Sequence, residues 1–211
     1  MKWIHCFSTS QIRFYIYKLK RGDAIIQIPS LNKDKIMIIL NGIIYHLQIF
    51  TNNEILPISI LNKNQVIDNN HSYRNTKSYY KMIALEETYI ISFRYQSLKY
   101  ISTINTSLIP KLLNSYKITL YNHEIMRQIL AHTYIKHRII QFLLFLSIHY
   151  GIIKQNQIII PFLITKSEIA NIVGTNINTL NRSIKLLEYN NLIKYKTHNS
   201  LIINYYFFLL H

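Results

Sequence analysis

Four side chains able to recognise nucleic acid, Asn178, Asn181, Arg182 and Lys185, fall at spacings of three and four, which gathers them on one side of a helix. An Asn amide can pair with the edge of adenine and an Arg guanidinium with guanine, while a Lys ammonium meets a phosphate as a point charge. Upstream, Thr165-Lys166-Ser167-Glu168 has the form of a capping box, in which the hydroxyl accepts the third residue's N–H and the carboxylate accepts the cap's own N–H. Ile169, Ala170 and Val173 then form the buried side of a short helix, with Ala170 small enough for another helix to cross closely. Gly174 supplies a turn, and Asn176 caps a second helix whose Leu180, Ile184 and Leu187 share one face. This order predicts a helix-turn-helix whose second helix can enter a major groove. Thr165, Ser167, Asn176 and Thr179, at the starts of the two helices, complete the candidate DNA-binding set. Leu192 to Tyr195 and Leu201 to Tyr205 flank Lys196-Thr197-His198-Asn199-Ser200 and predict a hairpin beside the DNA, a wing. The competing reading is a helical hairpin with an ordinary solvated face.

Charge points the same way. The 211 residues carry 24 Lys+Arg against 9 Asp+Glu, a net +15 that makes nucleic acid the first partner to consider. Ile (42), Asn (21), Lys (17) and Tyr (17) make up 97 of the 211 residues, and their shared AT-rich codons offer a second source for the lysines. Enzyme readings find little support: there is no HExxH, no Gly-rich phosphate loop ending in GK[ST] and no Gly-x-Ser-x-Gly elbow. His123-Glu124 with His132 is a weak metal candidate among nine scattered histidines, so no metal or catalytic site is assigned. The single Cys6, placed by this reading on a mobile N-terminus, excludes a disulfide framework and an iron–sulfur cluster and fits a reducing compartment. The longest apolar stretch, Ile139 to Ile148, is far short of the roughly 20 residues a membrane-crossing helix needs, so a soluble protein without a membrane partner is expected.

The elements that must position the motif come earlier. Up to about residue 100, short apolar runs (Ala24 to Ile28, Ile36 to Leu40, Ile43 to Ile49, Ile55 to Leu61, Tyr79 to Leu85, Tyr89 to Phe93) alternate with turn-forming clusters. Such clusters include Asn32-Lys33-Asp34, Asn41-Gly42, Thr51-Asn52-Asn53 and Asp68-Asn69-Asn70, and the pattern predicts a small antiparallel β-roll. Pro110 can open a long helix with two apolar stripes, one through Leu113, Tyr116, Leu120, His123 and Leu130, the other through Ile118, Tyr121, Ile125 and Ile129. A roll can cover one stripe, so the other suggests a second copy of the chain packed with coiled-coil spacing; the alternative is a helix buried within one domain. The helical pattern breaks near Ala131-His132-Thr133, and a second helix runs to Tyr150-Gly151, where a left-handed glycine cap is expected. A short strand, Ile158 to Phe162, precedes the helix-turn-helix.

Taken together, Ile164 to Ile193, the hairpin after it and the run Leu130 to Ile152 resemble the CRP/FNR regulators, the last run being especially similar to the NtcA-type nitrogen-control branch of cyanobacteria and red-algal plastids. The resemblance is good from about Leu130 to Ile203 and weaker from about Gly22 to Leu98. It implies an α+β protein with a cyclic-nucleotide-binding-like β-roll (residues 1–106), a dimerisation helix (107–131) and a winged helix-turn-helix (132–211). It further implies a homodimer that binds double-stranded DNA, with RNA polymerase as a further partner, controlling nitrogen-related genes in a plastid stroma, or in a bacterial cytoplasm if not organelle-encoded. The departures are specific. Ile177 stands where the family usually has a base-reading Arg, whereas the later Arg is kept as Arg182. The Gly-Glu and Arg of cyclic-nucleotide binders have no counterpart around Asp68 to Lys81, which argues against cyclic AMP. For 2-oxoglutarate, the branch's two arginines align with Ser78 and Thr119; Glu124 matches a helix glutamate, and Lys77, Lys81 and Lys117 are the candidate substitute cations. A point charge does not reproduce the bidentate grip of Arg on a carboxylate. A fold-retaining structural or nonspecific nucleic-acid-binding protein is the alternative, and a nuclease a more distant one.

Overall fold

The computed structural model describes residues 2–28, 34–68, 78–99, 108–155, 157–195, 201–204 and 206–207. The chain divides into two compact units, Met1–Glu124 and Ile125–His211, with the boundary inside a long helix.

The first unit opens with α1 (Lys2–Thr9), followed by β1 (Phe14–Leu19), β2 (Ala24–Gln27), β3 (Lys35–Asn41), β4 (Ile44–Phe50), β5 (Ile55–Leu61), β6 (Val66–Asp68), β7 (Ser78–Ala84), β8 (Thr88–Arg94), α2 (Gln96–Lys99) and α3 (Leu108–Ala131). The strands form two antiparallel four-stranded sheets, ordered β1-β8-β3-β6 and β2-β7-β4-β5. Successive strand residues face opposite ways, so β3 contributes Met37 and Ile39 to the core shared by the sheets, and Ile36 and Ile38 to a second core against α1 and α3. This double burial explains its unbroken apolar run. Pro57 sits on the edge strand β5 beside a register shift, where a missing N–H is tolerated. Gly42 turns the chain between β3 and β4 at φ +96°; a Cβ there would lie 2.6 Å from Thr88 Cα and 2.7 Å from the Glu87 carbonyl oxygen. The roll expected from the sequence is therefore present, with α1, β1 and β6 in addition, so that Asp68, expected in a turn, ends a strand. Cys6, expected on a mobile segment, is instead buried with Trp3 and Phe7 on the inward side of α1.

The side of α3 that the roll covers differs from both expected stripes. Leu108, Leu112, Ser115, Thr119 and Asn122 are buried, whereas Leu113, Ile118, Leu120 and Tyr121 are exposed. Hydrogen bonds account for the difference. Thr119 Oγ1 accepts the Val66 N–H at 2.8 Å and donates to the Ser115 carbonyl at 3.0 Å. Asn122 Nδ2 donates to the Ile60 carbonyl at 3.3 Å, and the Tyr116 hydroxyl to Asp68 at 2.7 Å. The β5–β6 end of the roll thus meets the helix with main-chain groups, and polar side chains pair with them where leucine could not.

The second unit contains α4 (Ile135–Tyr150), β9 (Ile152–Lys154), β10 (Gln157–Ile159), α5 (Lys166–Val173), α6 (Ile177–Tyr189), β11 (Ile193–Tyr195) and β12 (Leu201–Asn204), with an antiparallel sheet ordered β11-β12-β10-β9. The helical break falls at 132–134 as expected, and Arg138 Nε donates to the His132 carbonyl at 2.7 Å across it. Gly151 does not adopt the expected left-handed cap: its φ is −68°. It is needed for space instead, because a Cβ would run into the Ile158 side chain and the Ser147 carbonyl oxygen. The strand expected at Ile158 to Phe162 is shorter and shifted to Gln157–Ile159, paired with the unanticipated β9. Among the described residues, no helix is long and apolar enough to cross a membrane.

Candidate nucleic-acid interface

The helix-turn-helix is built by local hydrogen bonds that its sequence encodes. Thr165 Oγ1 accepts the Glu168 N–H at 3.1 Å, and the Glu168 carboxylate accepts the Thr165 N–H at 2.6 Å, closing the capping box. The same carboxylate accepts the Thr165 hydroxyl at 2.9 Å, so that hydroxyl is committed to the cap. Ser167, in the first turn of α5, is exposed. Ile169, Ala170, Ile172 and Val173 are buried. Gly174 ends α5 at φ +67°, the left-handed conformation that glycine adopts most readily, and the Thr175 N–H donates to the Ala170 carbonyl at 2.9 Å.

Asn176 starts α6 by accepting the Thr179 N–H on Oδ1 at 2.8 Å. Leu180, Ile184 and Leu187 bury the inner face of α6. On the outer face Asn178, Arg182 and Lys185 are exposed, and Tyr189, 85% exposed, extends the stripe by a turn. Thr179 and Asn181, at the margins of that stripe, are half-buried. The six α6 positions picked from the sequence therefore sit on one helix and its cap. Ile177 is 40% exposed at the N-terminal end of α6.

Beneath α6, Lys166 stands 4.9 Å from the Tyr195 ring centroid and 4.0 Å from a Glu188 carboxylate oxygen, and the Tyr195 N–H donates to Glu188 at 3.4 Å. Burial, reinforced by the nearby Glu188 and Glu168 charges, pushes the Tyr195 phenol above its usual range. These contacts tie the first strand of the hairpin to both helices. β11 and β12 pair as expected, Ile193↔Ile203 through Tyr195↔Leu201, while the connection at 196–200 lies outside the described residues.

The candidate effector residues are less gathered. Lys77 lies outside the described residues. Lys81 is half-buried on β7, opposite Leu47, and Glu124 is half-buried on α3. Lys117 is exposed; two residues from Thr119, it lies about 200° around the helix from the face that meets the roll. Ser78 Oγ accepts Gln48 Nε2 at 2.8 Å, and Thr119 is occupied by Val66. The more conspicuous polar group here is a pair the sequence did not single out. His46, 2% exposed on β4, lies with its ring centroid 6.1 Å from that of His123 on α3 and 5.6 Å from that of Tyr80. Burial holds the His123 imidazole below its usual pKa.

Comparison with known proteins agrees with this geometry. Residues 137–205 match the family model described as the Crp-like helix-turn-helix domain. A curated protein of Porphyra purpurea, named "Putative HTH-type transcriptional regulator ycf28", is 26% identical over 185 residues, covering 88% of this chain and 76% of that protein. Among solved structures, CprK complexed with OCPA superposes with a TM-score of 0.71 at 17% identity, covering all of this chain and 94% of the other. A CooA variant from Carboxydothermus hydrogenoformans gives 0.73 at 13% identity over 93% and 86% of the two chains. TTHB099 of Thermus thermophilus, described as a transcriptional regulator of the CRP family, gives 0.70 at 10% identity over 89% and 91%. The chain thus carries a Crp-like helix-turn-helix domain at residues 137–205, within a fold that is that of the CRP/FNR regulators.

Proposed function

We infer that this chain is a homodimeric, sequence-specific DNA-binding transcription regulator of the CRP/FNR type. The observation that carries the reading is α6: doubly anchored by Asn176 and the Gly174 turn, it presents Asn178, Arg182 and Lys185 outward with no acidic residue on that stripe. Thr165, Ser167, Asn176, Thr179 and Asn181 complete the DNA-binding set, the capping residues acting by holding the helices. Two-fold pairing through the exposed leucines of α3 would present two such helices to successive major grooves, so the operator is a pseudo-palindrome with half-sites about 34 Å apart. With Ile177 unable to do more than touch a thymine methyl, each half-site depends on one guanine, read by Arg182.

Nitrogen-related control in a red-algal plastid, with RNA polymerase as the downstream partner, is the setting favoured by the similarity of Leu130 to Ile152, the AT-rich codon usage behind the composition and the Porphyra purpurea relative. The effector site is degenerate in this reading. Ser78 and Thr119 supply no positive charge and are engaged in hydrogen bonds, and Lys117 faces away, leaving Lys81 and Glu124, with Lys77, as the remaining polar groups for 2-oxoglutarate.

Sequencing of DNA fragments retained by the purified protein tests the function. A short palindrome that outcompetes bulk DNA supports it. Retention without any shared sequence would favour the nonspecific-binder reading, to which the loss of a cation at Ile177 gives weight.

A further inference from the structure

We propose that His46 of β4 and His123 of α3 form a buried two-imidazole site for a soft monovalent metal ion, copper(I), which joins the roll to the long helix. The inference is independent of the DNA-binding reading, because both ligands lie in the first unit. Main-chain contacts fix their meeting. Thr119 and Asn122, four and one residues before His123, are bonded to Val66 and Ile60, which holds this side of α3 against the roll. His46 sits in the β4–β7 ladder opposite Met82. It is 2% exposed, and its ring nitrogens are shut off from solvent, as is Nε2 of the half-buried His123. That Nε2 has no hydrogen-bond partner among the described residues. Buried nitrogen atoms rarely stay so, and a metal ion would satisfy it.

The ring spacing selects the coordination. With a metal–nitrogen bond of about 2.0 Å and a nitrogen about 1.2 Å from its ring centre, two imidazoles on one ion have centroids about 5.2 Å apart at the tetrahedral angle and about 6.4 Å apart when collinear. The 6.1 Å between His46 and His123 lies near the collinear limit. Among the described residues no third His, Cys, Asp or Glu completes a cluster. Zinc(II), which takes four ligands, is poorly served by such a pair, whereas copper(I) with its filled d shell is stable between two nearly collinear imidazoles. The surroundings favour the same ion. Residues directly opposite in an antiparallel pair share a face, so Met82 brings a soft thioether to the side of β4 that carries His46. Tyr80, its ring centroid 5.6 Å from that of His46, helps exclude the water with which a divalent ion would complete its shell. Occupancy would clamp the roll to α3, whose outer side carries Leu113 and Leu120.

The test titrates the full chain with copper(I), without oxygen, against a chromophoric cuprous chelator, and X-ray absorption of the loaded parent reports the ligands. The parent should withdraw a single equivalent per chain, show a low-coordinate shell with nitrogen neighbours, and melt at a higher temperature with copper than without. His46→Gln and His123→Gln should each abolish the withdrawal and the thermal shift. The absorption spectrum and the shift of the parent stand even where a variant fails to fold. His132→Gln with His137→Gln removes a more exposed pair of rings, also 6.1 Å apart, at the break between α3 and α4, and should bind as the parent does. Cys6→Ser should do the same. A parent that withdraws no copper overturns the proposal, as does copper retained by folded His46→Gln or His123→Gln, or lost with His132 and His137 or with Cys6. A four-coordinate spectrum, or zinc(II) displacing copper(I) at equal concentration, overturns the two-imidazole geometry. None of these outcomes alters the selection of a DNA palindrome, so failure of this site and failure of the DNA-binding reading are told apart.

Discussion

The double replacement Leu113→Lys with Leu120→Lys should abolish dimerisation. Each leucine is 63% exposed on the outer side of α3, and complete burial of a leucine is worth roughly 1.5–3 kcal/mol. Burying the exposed fraction contributes about 1–2 kcal/mol per side chain by the same coefficient, and a two-fold seam uses each leucine twice, so the four together contribute roughly 4–8 kcal/mol. At 1.4 kcal/mol per decade this weakens the dimer by about a thousandfold or more, before the repulsion of four facing ammonium groups is counted. Ile109, Leu113 and Leu120, all exposed, fall at spacings of four and seven, as positions along a coiled-coil seam do, which is why these two leucines are central to it. Neither leucine is in the core, so the variant should fold with the circular-dichroism spectrum of the parent. Light scattering and sedimentation over a dilution series measure the outcome. A parent that is monomeric at micromolar concentration, or a double variant that dimerises as tightly as the parent, would refute the assignment of this face as a copy-to-copy seam.

On DNA, Arg182→Ala should cost roughly 1–3 kcal/mol on the selected site and flatten preference at one base pair per half-site, whereas Lys185→Ala should weaken all sequences alike and lower the salt slope. Base-by-base selection separates the two; a uniform loss with Arg182→Ala would make it a phosphate clamp. Gly151→Ala should destabilise by about 1–3 kcal/mol through overpacking against Ile158, even though its φ suits alanine, while Gly174→Asn should cost about 1 kcal/mol or less because Asn tolerates the left-handed region. Thermal melting that ranked the two in the opposite order would contradict the geometry. Burial depresses the pKa of His123, so the unfolded chain is the better proton binder just below the ordinary histidine value of about 6.5, and stability should fall as pH drops from there toward the folded pKa and level off below it. Urea unfolding across pH 5 to 8 should show a shallower acid loss for His123→Phe than for the parent, and equal pH dependence would mean that burial does not hold the imidazole neutral. Calorimetry with 2-oxoglutarate should detect weak binding or none, and tight binding would mean that the branch's arginines do not align with Ser78 and Thr119 or that the nearby lysines suffice.

The helix-turn-helix was legible in the sequence because its determinants are local. A capping box, a small residue, a left-handed glycine and an Asn cap all act within four residues of their partners, and each hydrogen bond expected from the spacing is present. The roll was legible as alternating apolar runs and turns, although α1 and β1 were hidden because Lys2–Thr9 is too short to establish a helical period and its burial depends on Phe14, Ile36 and Phe93 far along the chain. Gly151 shows the same limit at one residue: glycine before a strand suggested a conformational role, and the need for it came from Ile158 across a hairpin.

The long helix is the instructive case. Hydrophobic periodicity correctly found more apolar surface on α3 than one roll could cover, but it assigned the covered side to leucine and tyrosine. The roll actually binds the helix through Thr119, which accepts the buried Val66 N–H, a group that costs about 1–3 kcal/mol if left unsatisfied, and through Asn122, which donates to an Ile60 carbonyl that also accepts the Ser59 hydroxyl. Satisfying main-chain groups outweighs burying one more leucine, since the leucines can be covered later by a second copy and the main-chain groups cannot. The helix thereby divides its labour around its circumference, with hydrogen bonds toward its own roll and apolar side chains left for a partner. Thr119→Val separates these roles: it removes the acceptor for Val66 with little change of volume. It should lower the stability of the monomeric Leu113→Lys/Leu120→Lys protein and of the parent by the same amount. A loss seen in the parent alone would mean that Thr119 acts through the seam, and the division of α3 into a roll face and a partner face would be wrong.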